Sequence, residues 1–172
     1  MIFLTVGSEY PFDRLVRAVD ELLEHTFPGC EVFAQIGDSR YTPKNMAWTA
    51  VLGRDEFMNR IALSDAVIAH AGMGTILACT EMGKPLLVMP RRERLREHVN
   101  DHQVGTAERF MRRGNILAAF DVGELPARIA QLRTFIPSQS LNNLQGVIDH
   151  IDRYIRELES NMPPNGKSTR GR

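Results

Sequence analysis

Three short runs of this chain carry residue types whose spacing could do chemistry. The first is His70-Ala71-Gly72-Met73-Gly74-Thr75, which follows an apolar run and precedes a helical pattern. Gly72 and Gly74 let the backbone come close to a ligand. A helix starting here presents unpaired N–H groups and the positive end of its dipole, which suits a phosphate. The run matches neither the dinucleotide fingerprint nor the P-loop. Taken alone, it equally describes a tight strand-to-helix turn capped by Thr75. The second run, Pro90 to His98, is basic, with Arg91, Arg92, Arg94 and Arg96. It could steer and bind phosphates. Glu93 and Glu97 partly cancel those charges, so by itself it reads as a solvated loop. The third run is Asn100-Asp101-His102-Gln103. Asn100 or Asp101 would cap a helix there, and the same polar groups could hydrogen-bond sugar hydroxyls.

Several chemistries are excluded. His98 and His102 stand at i,i+4, but there is no HExxH pattern and no evident third ligand, so no metal and no cofactor are expected. There is no GxSxG nucleophile elbow. Cys30 and Cys79 lie far apart without a CxxC, which predicts neither a disulfide framework nor a zinc site, and Cys79 reads as core. Twenty-one basic residues balance twenty-one acidic ones, giving no support for nucleic-acid binding. The N-terminus lacks a basic region ahead of a long apolar one, and no stretch approaches the ~20 apolar residues of a membrane span. A cytoplasmic chain is expected, brought to a membrane only by a partner.

The elements that must position these runs follow from periodicity. Ile2 to Val6 reads as a buried strand ending at Gly7. Phe12, Leu15, Val16, Val19, Leu22 and Leu23 recur at helical spacing, with Pro11 at the expected first turn. Further strands are expected at Glu31–Ile36, Trp48–Leu52, Ala66–Ala69, Leu86–Met89 and Ile116–Ala119. Helices are expected at Asp55–Leu63, Thr75–Met82, Asp101–Arg113 and from Asp121 to about Thr134. Leu141, Leu144, Ile148, Ile151, Ile155 and Leu158 mark a long amphipathic C-terminal helix. Residues 159–172 read as a disordered polar tail. Alternating strands and helices give an α/β fold with a Rossmann-like parallel sheet and helices on both faces. In such sheets ligands bind at the carboxyl ends of strands. Gly7-Ser8, the His70 run and the arginine run all follow strands and should share one rim.

Taken in order, Thr5-Val-Gly-Ser8, Pro11-Phe-Asp13, Ser64 to Ile76, Gly83-Lys-Pro85, Met89-Pro-Arg-Arg92 and Glu97 to Gln103 resemble the carboxyl-terminal domain of family 28 glycosyltransferases over about residues 1–135. Within that family the chain is similar to stand-alone versions. These are the catalytic subunit of a eukaryotic two-part enzyme that extends dolichol-linked sugar with N-acetylglucosamine, and bacterial exopolysaccharide subunits. The resemblance implies residues 1–158 as the donor half of a two-domain GT-B enzyme. It implies a UDP-sugar as substrate and a hexose (glucose, glucuronic acid or galactose) moved by inversion to a lipid-diphosphate-linked saccharide. A separate membrane-anchored subunit would hold the acceptor, and the Leu141–Leu158 stripe would be a docking surface or pack on its own domain. Gly7, Ser8, Gly72, Met73, Gly74 and Thr75 would lie at the diphosphate, with His70 the catalytic candidate. Asn100, Asp101, His102 and Gln103 would contact the sugar. Arg91 or Arg92 would meet the leaving charge. Many relatives hold the ribose with a glutamate where this chain has Ala78, and Glu81 is the nearby substitute. UDP-N-acetylglucosamine as donor, and a non-catalytic nucleotide-sugar-binding regulatory subunit, are the alternatives. A two-domain epimerase and a purely structural module fit less well, the first on length and the second on the rim motifs.

Overall fold

The computed structural model of the chain describes residues 1–138. Strands and helices alternate as β1 (Ile2–Thr5), α1 (Asp13–His25), β2 (Val32–Gln35), β3 (Ala47–Thr49), α2 (Arg54–Leu63), β4 (Ala66–His70), α3 (Met73–Glu81), β5 (Leu86–Met89), α4 (His102–Arg112), β6 (Leu117–Ala118) and α5 (Leu125–Leu132). Every strand pairing is parallel, in the order β3-β2-β1-β4-β5-β6. The chain starts in the middle of the sheet, winds outward to β3, and returns to lay β4 beside β1. The switch point between β1 and β4 opens a crevice outside their carboxyl ends.

Burial on both faces explains the near-continuous apolar strands. Successive side chains point to opposite faces. Ile2, Leu4, Val6, Ile68, Leu87 and Met89 therefore join one core with Leu15, Val16 and Val19 of α1 and Ile129 and Leu132 of α5. Phe3 faces the other way, where the ring of Phe57 from α2 meets it edge-on at 5.7 Å. Helix α3 packs beside α2 on that side. Phe3 is fully buried, and burial of such a side chain contributes about 2–3 kcal/mol.

Element boundaries moved where local chemistry outweighed periodicity. Helix α3 begins at Met73, two residues before the expected Thr75, with Gly72 as its N-cap and no side chain capping it. Strand β3 is Ala47–Thr49 rather than Trp48–Leu52, and Trp48 is exposed on this edge strand. Pro11 lies ahead of α1, whose N-cap is Phe12. Asp121 starts a short 3-10 turn, Val122–Glu124, before α5 begins with proline in its first turn. No helix joins β2 to β3. The buried Asp20 carboxylate pins that loop instead, accepting hydrogen bonds from the Tyr41 hydroxyl at 2.7 Å and the Asn45 amide at 2.8 Å. The long helix expected from Leu141 to Leu158 and the tail after it lie outside the described residues.

Candidate functional site

The rim is built around His70, the last residue of β4. Register places His70 opposite Met89, and Ala69 opposite Thr5, so the loops after β1, β4 and β5 leave the sheet side by side. The imidazole lies between two glycines. A Cβ on Gly7 would stand 2.9 Å from His70 Cε1, and a Cβ on Gly72 only 2.2 Å from Nε2. Gly7 also has φ +76°, in the left-handed region, where a side chain is disfavoured. Its amide donates to the buried Thr5 hydroxyl at 3.3 Å. The glycines of the motif thus serve the ring directly, by letting it seat.

Burial pushes the His70 pKa down to about 4, helped by the nearby Arg91 charge. The ring is therefore neutral at pH 7, and its Nδ1 is buried without a hydrogen-bond partner. Behind it, α3 has no acidic residue in its first turn and no capping side chain. Its first amides are left unsatisfied by the helix, as helix starts require. Met73 and Gly74 are exposed there, while Thr75 is buried inside the first turn and caps nothing. A neutral imidazole beside uncapped amides at a dipole's positive end is chemically suited to an anion.

The basic run is more ordered than its composition suggests. Arg91 is buried, and its guanidinium donates to the carbonyls of Val6, at 2.8 Å, and of Tyr10. Burial lowers its pKa to about 10. Arg92 is partly buried, and its guanidinium donates to the Phe120 carbonyl at 3.4 Å. Glu97, which sequence reasoning used only as a cancelling charge, forms a two-pronged pair with Arg14 of α1 at 2.6 and 2.8 Å. It also accepts from the Arg92 amide at 2.9 Å. Exposed at the tip are Arg94, Leu95 and Arg96.

At the start of α4 the polar run divides its labour. Asn100 Oδ1 accepts from the His102 amide at 3.2 Å and so closes the helix start. Asp101 occupies the N-cap position but makes no cap bond. Its carboxylate turns back to accept from the Glu93 amide at 2.8 Å. Gln103 is buried, with Oε1 taking the Arg91 amide at 3.2 Å. His102 is exposed and meets His98 edge-to-face at 4.6 Å, and His98 in turn packs on Tyr10.

Of the residues singled out from sequence, the rim gathers Gly7, Ser8, His70, Gly72, Met73, Gly74, Thr75, Arg91, Arg92, Asn100, Asp101, His102 and Gln103. Glu81 is not among them. It is the last residue of α3, about 12 Å along the axis from Met73 at 1.5 Å per residue. Ala78 is buried. Tyr10, Arg14 and Glu97 were missed as parts of the site. Arg14 and Glu97 are 83 residues apart, so no local pattern could have paired them. Among the described residues, no group of three or more His, Cys, Asp or Glu side chains could hold a metal ion. Among them, too, no helix is long and apolar enough to cross a membrane.

Fold and rim together define a Rossmann-like half of a GT-B architecture, with its crevice lined by backbone amides and imidazole. The chain belongs to the glycosyltransferase family 28 C-terminal domain, whose family model matches residues 1–153. It is 31% identical over 124 residues to the human UDP-N-acetylglucosamine transferase subunit ALG13, covering 67% of this chain and 10% of that protein. It is 33% identical over 88 residues to the Cryptococcus neoformans subunit of the same name, covering 50% of this chain and 42% of the relative. This chain thus spans less than half the length of either relative. Among solved structures, Acinetobacter baumannii MurG superposes with a TM-score of 0.61 at 18% identity, over 88% of this chain and 49% of that one. The solution structure of ALG13 gives 0.56 at 21% identity, over 81% and 88%. These likenesses bear out the GT-B type half-domain read from the sequence.

Proposed function

We propose that this chain is the donor-binding subunit of a two-subunit inverting glycosyltransferase that moves a sugar from a UDP-sugar to a lipid-diphosphate-linked saccharide. The observation that carries the reading is the His70 cradle. A neutral imidazole seated between Gly7 and Gly72 borders the uncapped start of α3, at the switch point of the sheet. In the reaction the acceptor hydroxyl attacks the anomeric carbon, the bond to the UDP oxygen breaks, and negative charge grows on the diphosphate. Preorganised donors aimed at that charge lower the barrier without a metal. The α3 amides supply them, and neutral His70 supplies one N–H. Arg92, at the crevice edge, adds positive potential. The base that takes the acceptor proton belongs to the partner, since no described residue here stands out for it.

The partner in this reading is a membrane-anchored subunit that holds the acceptor, which would keep this chain cytoplasmic and peripheral to the inner membrane face. The word subunit in both relatives' names supports a two-part enzyme. For the donor, the same names favour UDP-N-acetylglucosamine. The Met89-Pro-Arg-Arg92 and Glu97–Gln103 motifs resemble exopolysaccharide subunits and favour a hexose.

The test is calorimetric binding of UDP-N-acetylglucosamine, UDP-glucose, UDP-galactose and UDP-glucuronic acid, with and without the co-expressed partner subunit, followed by transfer assays. One donor should bind, and transfer should require both subunits. His70→Ala should cut turnover of the pair by about 100-fold or more, the scale of losing one oxyanion donor. Failure to bind any UDP compound with the partner subunit present would sink the proposal.

A further inference from the structure

We propose that Arg91 is a positioning residue, tying the loop after β1 to the loop after β5 so that Gly7 is held under the His70 ring, and that it does not itself contact the donor. Resting on the donor reading only for its nucleotide readout, the inference concerns the free protein first.

The guanidinium spans the base of the Gly7 loop. One nitrogen, Nη2, donates to the carbonyls of Val6 and Tyr10, which bracket Gly7, Ser8 and Glu9. The Arg91 amide is held by Gln103 Oε1 at 3.2 Å, linking the same residue to the first turn of α4. The guanidinium carbon lies 5.1 Å from the centroid of the Phe12 ring, just before α1. The Arg91 side chain therefore ties the loop after β5 to the segment between β1 and α1, and its amide ties the same residue to the first turn of α4. It is only 3% exposed, as is Gln103. Its Nε is buried without a partner rather than turned to the crevice. With Nη2 committed to two protein carbonyls and Nε buried, the guanidinium is better placed to set where Gly7 lies than to meet a diphosphate.

That placement matters because Gly7 sits in the left-handed region and approaches the ring closely. Released from the two carbonyl bonds, the loop would lift off His70 and widen the cradle. Lysine should hold the loop less well, because its ammonium is more strongly hydrated than a guanidinium and lacks the planar group that lies 5.1 Å from the Phe12 ring.

The experiment uses the free 172-residue chain, by NMR, without nucleotide. In Arg91→Met, the amides of Val6 and Gly7, which donate to the Gln35 carbonyl and the Thr5 hydroxyl, should exchange with solvent about tenfold faster, the scale of losing a charge-assisted hydrogen bond. His70 should titrate at higher pH, because a nearby positive charge has gone. In Arg91→Lys the charge stays but the loop should still exchange faster. UDP-donor affinity, measured second, should fall in both variants. If Arg91→Met does not fold, Gln103→Leu, which removes only the link from α4, should show the same loop effect at smaller size. Unchanged amide exchange and His70 titration in every folded variant would overturn the proposal, whatever happens to nucleotide affinity. A fall in affinity with an unperturbed loop would make Arg91 a direct ligand instead. Absence of UDP binding in the parent protein would sink the donor reading and leave the NMR test standing.

Discussion

Replacing Gly72 by alanine probes the cradle with one methyl group. Gly72 has φ −80° and ψ 133°, an extended conformation open to any residue. Backbone strain therefore costs nothing at this position. The new Cβ would meet His70 Nε2 at 2.2 Å, Cε1 at 2.8 Å and Cδ2 at 2.9 Å. The ring cannot retreat freely, because it is largely buried and Gly7 also lies close to its Cε1 and Nε2 atoms. Forced overpacking of this kind costs roughly 1–3 kcal/mol, a fall in Tm of roughly 2–12 °C for a chain of this size. In a His70→Ala background the obstacle is gone. Alanine at the N-cap then costs a few tenths to about 1 kcal/mol relative to glycine, offset by a similar entropic gain in the unfolded chain. The coupling energy between the substitutions should exceed about 1 kcal/mol. Gly7→Ala sharpens the comparison. It meets the same ring but at φ +76°, and the left-handed region alone costs an alanine about 1–2 kcal/mol. His70→Ala should therefore rescue Gly72→Ala nearly fully and Gly7→Ala only in part. Urea unfolding of the singles and doubles measures both. Additive effects of Gly72→Ala and His70→Ala would refute the seating of the ring between the glycines.

Other expectations concern charge. His70 has a pKa of about 4 when folded, against about 6.5 when unfolded. Between those values the unfolded chain binds more protons, so stability rises with pH there. The His70 contribution is fully present above about pH 6.5 and lost as pH falls toward 4, up to about 3 kcal/mol. His70→Ala should flatten that part of the stability–pH profile, and identical wild-type and variant profiles would contradict it. An anion bound at the cradle should raise the His70 pKa, read by NMR titration with and without UDP. Breaking the Arg14–Glu97 fork with Glu97→Ala leaves a partly buried guanidinium and a free Arg92 amide, and should destabilise by about 1–3 kcal/mol. Arg14→Met and Glu97→Ala together should cost less than the sum of the two, as measured by denaturant midpoint.

Much of the architecture was legible because it is written locally. The β1, β4 and β5 runs are continuous and apolar because both their faces are covered; glycine follows the first two and Pro90 the third. The α1 stripe shows its period within a few turns. Boundaries blurred where capping decided them. Thr75 looked like a cap, yet the helix starts at Met73 because Gly72 adopts an extended backbone and leaves the amides bare. Asn100 and Asp101 looked interchangeable, yet only Asn100 bonds the helix start.

From the sequence alone came the α/β class, the parallel sheet, the rim that collects His70, Gly72 and Gly74, and the family resemblance. Those depend on periodicity and on residue types a few positions apart. The tertiary structure alone decided what the charged residues do. Arg91 and Gln103 are buried and bond backbone groups of neighbouring segments, and the partly buried Arg92 donates to the Phe120 carbonyl. Glu97 looked like a cancelling charge and is the anchor of Arg14. The reason is physical. A polar side chain taken out of water must find a partner, and that partner is whichever loop the sheet order brings alongside, which no short stretch of sequence records.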